Sequence, residues 1–378
     1  MKAYDHLLDY SPAVDLADDT LVVSAYTAGV DRGDERLRRL MAQAPAISLH
    51  DHPFRYPVPL NNETWARWRA GRRMELAYDG LAESGMRAVV SCTNSWHSAD
   101  EVMQIMARVR GDVVGRDGFH VVDAFSDLDR EGSLGIVLGL ESMTWFAHDL
   151  SSVEFLYGLG VRVGGLIYSD GNVLGAGLSS ATDEGLTSQG RAFVKEMNAL
   201  GMVVDLAHAG DRTTLDAIEV SEVPVLVSHA GARGLWPTAR MKPDDVIRAL
   251  VDAGGLIGVE AAPNTTCSPK RERHDLDAVL DHIDHLAELA GVTNVALGPD
   301  VMYGRHHELH AIRAASTGGN APTGDVAQER VSFADGVENP TEACWNITAG
   351  LVDRGWADDD ILAVLGANAL RVLEQILR

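Results

Sequence analysis

Gly201-Met202-Val203-Val204-Asp205-Leu206-Ala207-His208 is followed, after a short amphipathic segment, by Val223-Pro224-Val225-Leu226-Val227-Ser228-His229-Ala230. Each apolar run ends on a histidine. A buried strand that delivers an imidazole at its C-terminal tip is how a parallel α/β barrel builds a metal site. Two such strands in succession, joined by one helix, place His208 and His229 on one face of the fold.

The same rhythm extends outward from this stretch. Ala46–Leu49, Arg87–Ser91, Leu134–Leu140, Val161–Ile167, Met202–Leu206, Val225–Val227, Leu256–Val259 and Val295–Leu297 are short runs rich in Val, Ile and Leu, bounded by Gly, Pro or polar residues. Helical patterns separate them. Ser188–Leu200 has Thr187 as N-cap and Gly201 as its stop. Lys242–Ala253 carries Pro243 in its first turn, and Asp275–Ala290 ends at Gly291. Strands alternating with helices predict an α/β fold, a (β/α)8 TIM barrel over residues 45–378. Residues 1–44 read as an N-terminal arm. Met302 to Asn339 reads as a long loop after the last strand, over the active-site end, and a helix over Asp358–Leu377 closes the chain.

The chain has 378 residues, of which 46% are hydrophobic, enough for one large core. Its net charge of −23 disfavours nucleic acid and anionic membrane surfaces. The 3 cysteines, Cys92, Cys267 and Cys344, are far apart and form neither a disulfide framework nor a zinc-ligand spacing. Free thiols, no signal-peptide pattern and no long apolar run are read as a cytoplasmic protein without a membrane span.

Chemistry-bearing residues gather at the expected strand tips. The first strand exits into His50-Asp51-His52, whose histidines are two apart and share a side. The Leu134–Leu140 run ends on Glu141, a carboxylate that could bridge two ions or pair with a neighbouring cation. The last strand leads to Asp300, a candidate proton acceptor or weak ligand; a loop cap is the alternative. Arg240, just after the His229 loop, is either a fork for a substrate carboxylate or a surface arginine. Nitrogen and carboxylate donors suit zinc, with manganese or iron as alternatives. Together these parts point to hydrolysis at a pair of metal ions.

With those residues in place, the chain resembles the membrane (renal-type) dipeptidase family of the metal-dependent amidohydrolase superfamily, from about Ile47 to the C-terminus. The resemblance is carried by Gly185-Leu186-Thr187 with Gly190, Val194–Asn198, Gly201–His208, Pro224–His229, Leu351–Trp356 and Gly366–Val372. It implies a barrel with a binuclear zinc centre, Glu141 as the bridge, His208 and His229 as ligands, and Asp300 beside them. It also implies Arg240 as the group that binds a substrate's C-terminal carboxylate. Dipeptides, some with a C-terminal D-residue, are the implied substrates, and a homodimer is the implied assembly. Two positions depart from the family pattern. His52 stands where an aspartate is usual, leaving Asp51 as an alternative ligand, and Tyr168 stands where a histidine polarises the scissile carbonyl. The loop after Asp300 lacks a second acid and adds His306 and His307. The competing expectations are a hydrolase acting on a modified small amino acid, lactone or other carbonyl adduct, and a barrel without catalysis that serves as a binding subunit.

Overall fold

The computed structural model describes residues 29–57, 59–71, 75–93, 98–303, 331 and 333–378. Residues 1–28 of the expected arm, most of the expected loop (304–330) and the pair His306–His307 lie outside the described residues.

The strands are β1 (Ile47–Arg55), β2 (Ala88–Thr93), β3 (Phe119–Val121), β4 (Leu134–Leu140), β5 (Val161–Gly165), β6 (Val203–Asp205), β7 (Leu226–Ala230), β8 (Leu256–Val259), β9 (Val295–Leu297) and β10 (Met302–Tyr303). All pairings between them are parallel, in the order β1-β2-β4-β5-β6-β7-β8-β9, and β9 pairs back onto β1 at Ser48–Leu297, closing the ring. This is the expected (β/α)8 barrel. Two short strands escaped the sequence reading. Phe119–Val121 lies outside the ring on β4, and Met302–Tyr303 pairs with the outer end of β1. Both are too short for periodicity to reveal.

Helix ends follow the local chemistry. Thr187 caps Ser188–Leu200 by accepting from the Gly190 N–H, and Gly201 ends that helix at φ 83°, a left-handed conformation open to glycine. Pro243 is the N-cap of Asp244–Asp252 rather than part of its first turn, and Asp275 likewise caps Leu276–Ala290. The expected C-terminal helix is interrupted: Asp358–Leu362 passes through a π-helical turn at Ala363–Ala367 before Asn368–Leu373. In the described part of the arm, Glu35–Gln43 forms a helix that buries Leu37, Leu40 and Met41 in the main core.

Alternation sorts the strand residues into two cores. Ile47, Leu49, Val90, Val137, Val163, Val203, Leu226, Leu256 and Ala296 fill the lower barrel interior, and Val372, Leu373, Ile376 and Leu377 close its floor. The intervening residues pack outward under the helices. Continuing the inward phase upward brings Glu141 (from Val137 and Gly139), Asp205 (from Val203) and Glu260 (from Leu256 and Gly258) to the mouth. Strict alternation fails for the histidines, because Leu49 already points inward and His50 follows it. The register of β1 shifts between Ser48 and Asp51, and that of β7 between Val227 and Ala230. An extra residue at each shift inverts the phase and turns His50, His52 and His229 inward. The β7 bulge pushes the Ser228 carbonyl toward β8 and β9. A Cβ on Gly258 or Gly298 would sit 2.0 or 1.8 Å from that oxygen, so both positions require glycine.

Candidate metal centre

At the C-terminal mouth the structure brings together His50, His52, Glu141, His208, His229 and Asp300, all buried. Their ligand atoms form two groups, His50–His52–Asp300 and Glu141–His208–His229, with a third, His50–Asp205–His229, between them. The rings of His50 and His229 lie 3.7 Å apart, centroid to centroid, so the groups are contiguous.

Hydrogen bonds behind the rings fix which nitrogen faces the centre. His52 donates from Nδ1 to the Cys92 carbonyl at 2.9 Å, which turns Nε2 toward Asp300, whose Oδ1 is 3.2 Å away. Ser228 donates its hydroxyl to Asp205 at 2.6 Å and therefore accepts from His229 Nδ1 at 2.7 Å, which again leaves Nε2 facing inward. Ser169 stands 3.0 Å from His208 Nδ1. The Nε2 atoms of His208 and His229 then approach within 3.1 Å, and Glu141 Oε1 is 3.1 Å from His208 Nε2. A single N–H on His208 can satisfy only one of these two neighbours, and a cation between the three groups would satisfy all of them.

Electrostatics agree with that demand. Burial holds His50 down at about 4, against the pull of Asp300, so it is neutral at pH 7. Burial, with His50 and Arg240 nearby, also lowers His229 well below the ordinary histidine value. Burial opposes charge on His52 as well, but Asp300 and then Glu141 override it and raise that ring to about 9. Burial opposes the Glu141 carboxylate too, yet the imidazoles around it, His208 foremost, hold it below the usual range.

The donor set fits divalent metal ions on one further observation. Both ring nitrogens of His50 and the Glu141 Oε2 atom are buried without a hydrogen-bond partner in the protein. A buried polar atom left unpaired costs about 1–3 kcal/mol, and such atoms clustered among acids and imidazoles mark a metal position. His50, His52, Asp300, Glu141, His208 and His229 converge there as candidate metal ligands.

The neighbouring residues divide differently. Asp51 turns away from the centre: it accepts from Ser48 Oγ at 2.6 Å and from the Val301 N–H at 3.0 Å, burial raises it to about 7, and it belongs to none of the three groups. Tyr168 stacks on His208 with ring centroids 4.3 Å apart. Asp300 takes φ 54°, a left-handed conformation that Asp tolerates, and its N–H donates to the His50 carbonyl at 3.0 Å, tying β9 to β1. Arg240, expected to offer an exposed guanidinium, is largely buried. It donates to the carbonyls of Ala207 (3.1 Å) and His229 (2.7 Å) and pairs with Glu260 at 3.0 Å. Sequence reasoning passed over Asp205 and Glu260; both could have been found as acids on the inward phase of otherwise apolar strands.

A closed (β/α)8 barrel carrying clustered imidazoles and carboxylates at its C-terminal mouth has the architecture of a metal-dependent hydrolase. Residues 79–309 match the model of the membrane dipeptidase family, peptidase family M19, and the chain belongs to that family. It is 28% identical over 262 residues to the dipeptidase tcpJ of Claviceps purpurea, covering 68% of this chain and 54% of that protein. It is 35% identical over 182 residues to an uncharacterized dipeptidase of Schizosaccharomyces pombe, covering 47% of this chain and 44% of that one. The chain thus spans about half the length of the curated relatives it matches. Among solved structures, an amidohydrolase from Pseudomonas aeruginosa superposes with TM-score 0.75 at 24% identity, over 90% of this chain and 99% of that one. A metallo peptidase from Rhodobacter sphaeroides, liganded with a phosphinate mimic of L-Ala-D-Ala, superposes with TM-score 0.68 at 17% identity, over 88% and 99%. Both likenesses concern the fold.

Proposed function

We propose that this protein is a metal-dependent dipeptidase that hydrolyses the amide bond of small dipeptides, a C-terminal D-residue included. The observation that carries the reading is the pair of adjoining ligand groups, with the unpartnered nitrogens of His50 and the unpartnered oxygen of Glu141 at their centre. Membership of the dipeptidase family supports it.

Two bound divalent ions, zinc in this proposal, would supply Lewis acidity that polarises a carbonyl and lowers the pKa of a water to near 7. The protein does the rest. Asp300, beside His52 and His50, takes the proton from the attacking water and passes it to the leaving nitrogen. Tyr168, against His208, offers its hydroxyl as a donor to the carbonyl oxygen as charge develops there. The Asp205–Ser228–His229 relay and the Cys92 carbonyl hold the imidazoles in place. Arg240, held on the carbonyls of Ala207 and His229 beside two of these ligands, would contact the end of the substrate. A cytoplasmic setting is supported by the thiols of Cys92, Cys267 and Cys344, all buried and unpaired. No helix among the described residues is long and apolar enough to cross a membrane. A homodimer belongs to the same proposal on family grounds.

The test is metal removal and return. Chelated protein should lose hydrolysis of a panel that includes L-Ala-D-Ala, and zinc or manganese should restore it. His208→Ala should remain inactive after metal is returned. Activity that survives chelation, or a His208→Ala variant that keeps normal turnover, would sink the reading.

A further inference from the structure

We propose that Lys242 is a positioning residue of the metal centre: its amine grips the main chain on one side of His208 while Arg240 grips the other, so that the segment Arg240-Met241-Lys242 fixes where the His208 imidazole stands. The inference rests on the assignment of His208 as a metal ligand above and deepens it by naming what holds that ligand's backbone.

β6 ends at Asp205, so His208 lies beyond the sheet ladder, in a turn closed by the Ala209 N–H on the Leu206 carbonyl at 3.1 Å. No strand register fixes the imidazole there, and the hydrogen bonds of the turn must do so. Arg240 Nη1 donates to the Ala207 carbonyl at 3.1 Å, and the Leu178 N–H donates to the His208 carbonyl at 3.2 Å. Lys242 Nζ donates to the Ala209 carbonyl at 2.7 Å, the shortest of the three. It also donates to Thr214 Oγ1 at 3.3 Å, whose own proton goes to the Gly210 carbonyl at 2.7 Å. At the other end of the residue, the Lys242 N–H donates to the Gly231 carbonyl and the Lys242 carbonyl accepts from the Arg233 N–H, both at 2.9 Å. Lys242 therefore ties the chain leaving His229 to the turn that carries His208, and these are two ligands of one group.

Packing alone does not account for a lysine at this position. Its side chain is fully buried, and among the described residues no carboxylate pairs with it. Arg240 and Arg233 face it as like charges, Asp211 and Asp205 as opposite ones, and burial foremost lowers the amine to about 7. A methionine would fill the same length without burying a polar group. What lysine adds is N–H, and an amine donates whether it is charged or neutral. The grip on the Ala209 carbonyl therefore does not depend on the protonation state of Lys242.

The experiment titrates zinc against a chromophoric chelator on the metal-stripped full chain, as wild type, Lys242→Met and Lys242→Gln, and records the melting temperature of each metal-free sample. Lys242→Met keeps the length and removes the donor. It should weaken zinc binding by about 10–100-fold, the range typical of residues that orient a ligand, while the metal-free melting temperature holds or rises. Lys242→Gln keeps an uncharged N–H and should recover most of the loss. Zinc affinity unchanged in Lys242→Met overturns the proposal, as does a Lys242→Gln that binds zinc no better than Lys242→Met. A fall in melting temperature with no fall in affinity assigns Lys242 to folding alone and overturns it too. Should Lys242→Met not fold, Lys242→Leu removes the same donor and is judged by the same outcomes. Hydrolysis of L-Ala-D-Ala is read on the same samples. If the wild type binds zinc without hydrolysing the dipeptide and Lys242→Met still weakens zinc, the dipeptidase reading falls and the assignment of Lys242 stands. If the wild type binds no zinc, both fall.

Discussion

His52 and His229 present the same Nε2 atom to the same centre, but they are held from behind in different ways. His52 is anchored on a main-chain carbonyl, that of Cys92 in the neighbouring strand. His229 is anchored on the Ser228 hydroxyl, which is itself oriented by Asp205. His52 also faces Asp300 and takes up a proton readily, whereas His229 and His50 are kept neutral by burial. One ligand group is therefore robust in geometry and sensitive to pH. The other is ready for a cation at neutral pH but depends on a chain of side chains that a single substitution can cut.

The comparison can be broken most sharply at Asp300, the one acid of the pH-sensitive group. Asp300→Asn should lower kcat by about 10²–10⁴-fold, the usual worth of a general acid–base group, while the second ligand group still takes up metal. Turnover within a few-fold of wild type, with metal content measured on the same sample, would leave Asp300 without its proposed role.

A smaller effect is expected at Ser228. Ser228→Ala cuts the relay from Asp205 and should weaken metal affinity by about 10–100-fold, the range typical of residues that orient a ligand. No side-chain substitution can do the equivalent behind His52, because a backbone carbonyl holds it. Metal titrations that are indifferent to Ser228→Ala would remove the asymmetry.

The smallest effect is in protons. His52 is raised to about 9 in the folded, metal-free protein, from an ordinary value of 6.5. The stability this gives is fully present below about 6.5 and is lost as pH rises through about 9. At pH 7 a metal ion entering beside Asp300 must displace that proton, whereas the neutral His50 and His229 release none. Calorimetry in buffers of different ionisation enthalpy should detect release of about one proton per chain, fading above pH 9. Metal uptake with no buffer dependence at pH 7 would contradict the charge state assigned to His52.

Much of this arrangement was readable from the chain. The eight barrel strands stand out because strands buried on both faces are written as unbroken apolar runs. Glu141, His208, His229 and Asp300 stand out because polar groups directly after such runs have few places to go except the mouth. The bulges were not readable. Ser48-Leu49-His50-Asp51 gives no local sign that an extra residue inverts the phase, since the shift is defined against Val89 and Ser91 of the adjacent strand. The burial of Arg240 was equally hidden, because its partner Glu260 is twenty residues away, just past the end of β8.

The barrel and the six residues proposed to hold metal could be read from the chain alone, because hydrophobic period and the cost of burying charge act locally, and the family could be read as a resemblance of motifs. Only the tertiary structure decided which way His50 and His229 point, that Asp51 is turned aside, and that Arg240 is paired with Glu260 rather than open to a ligand. Each of those outcomes depends on register and contact between strands far apart in the chain, and no local run of residues carries that information.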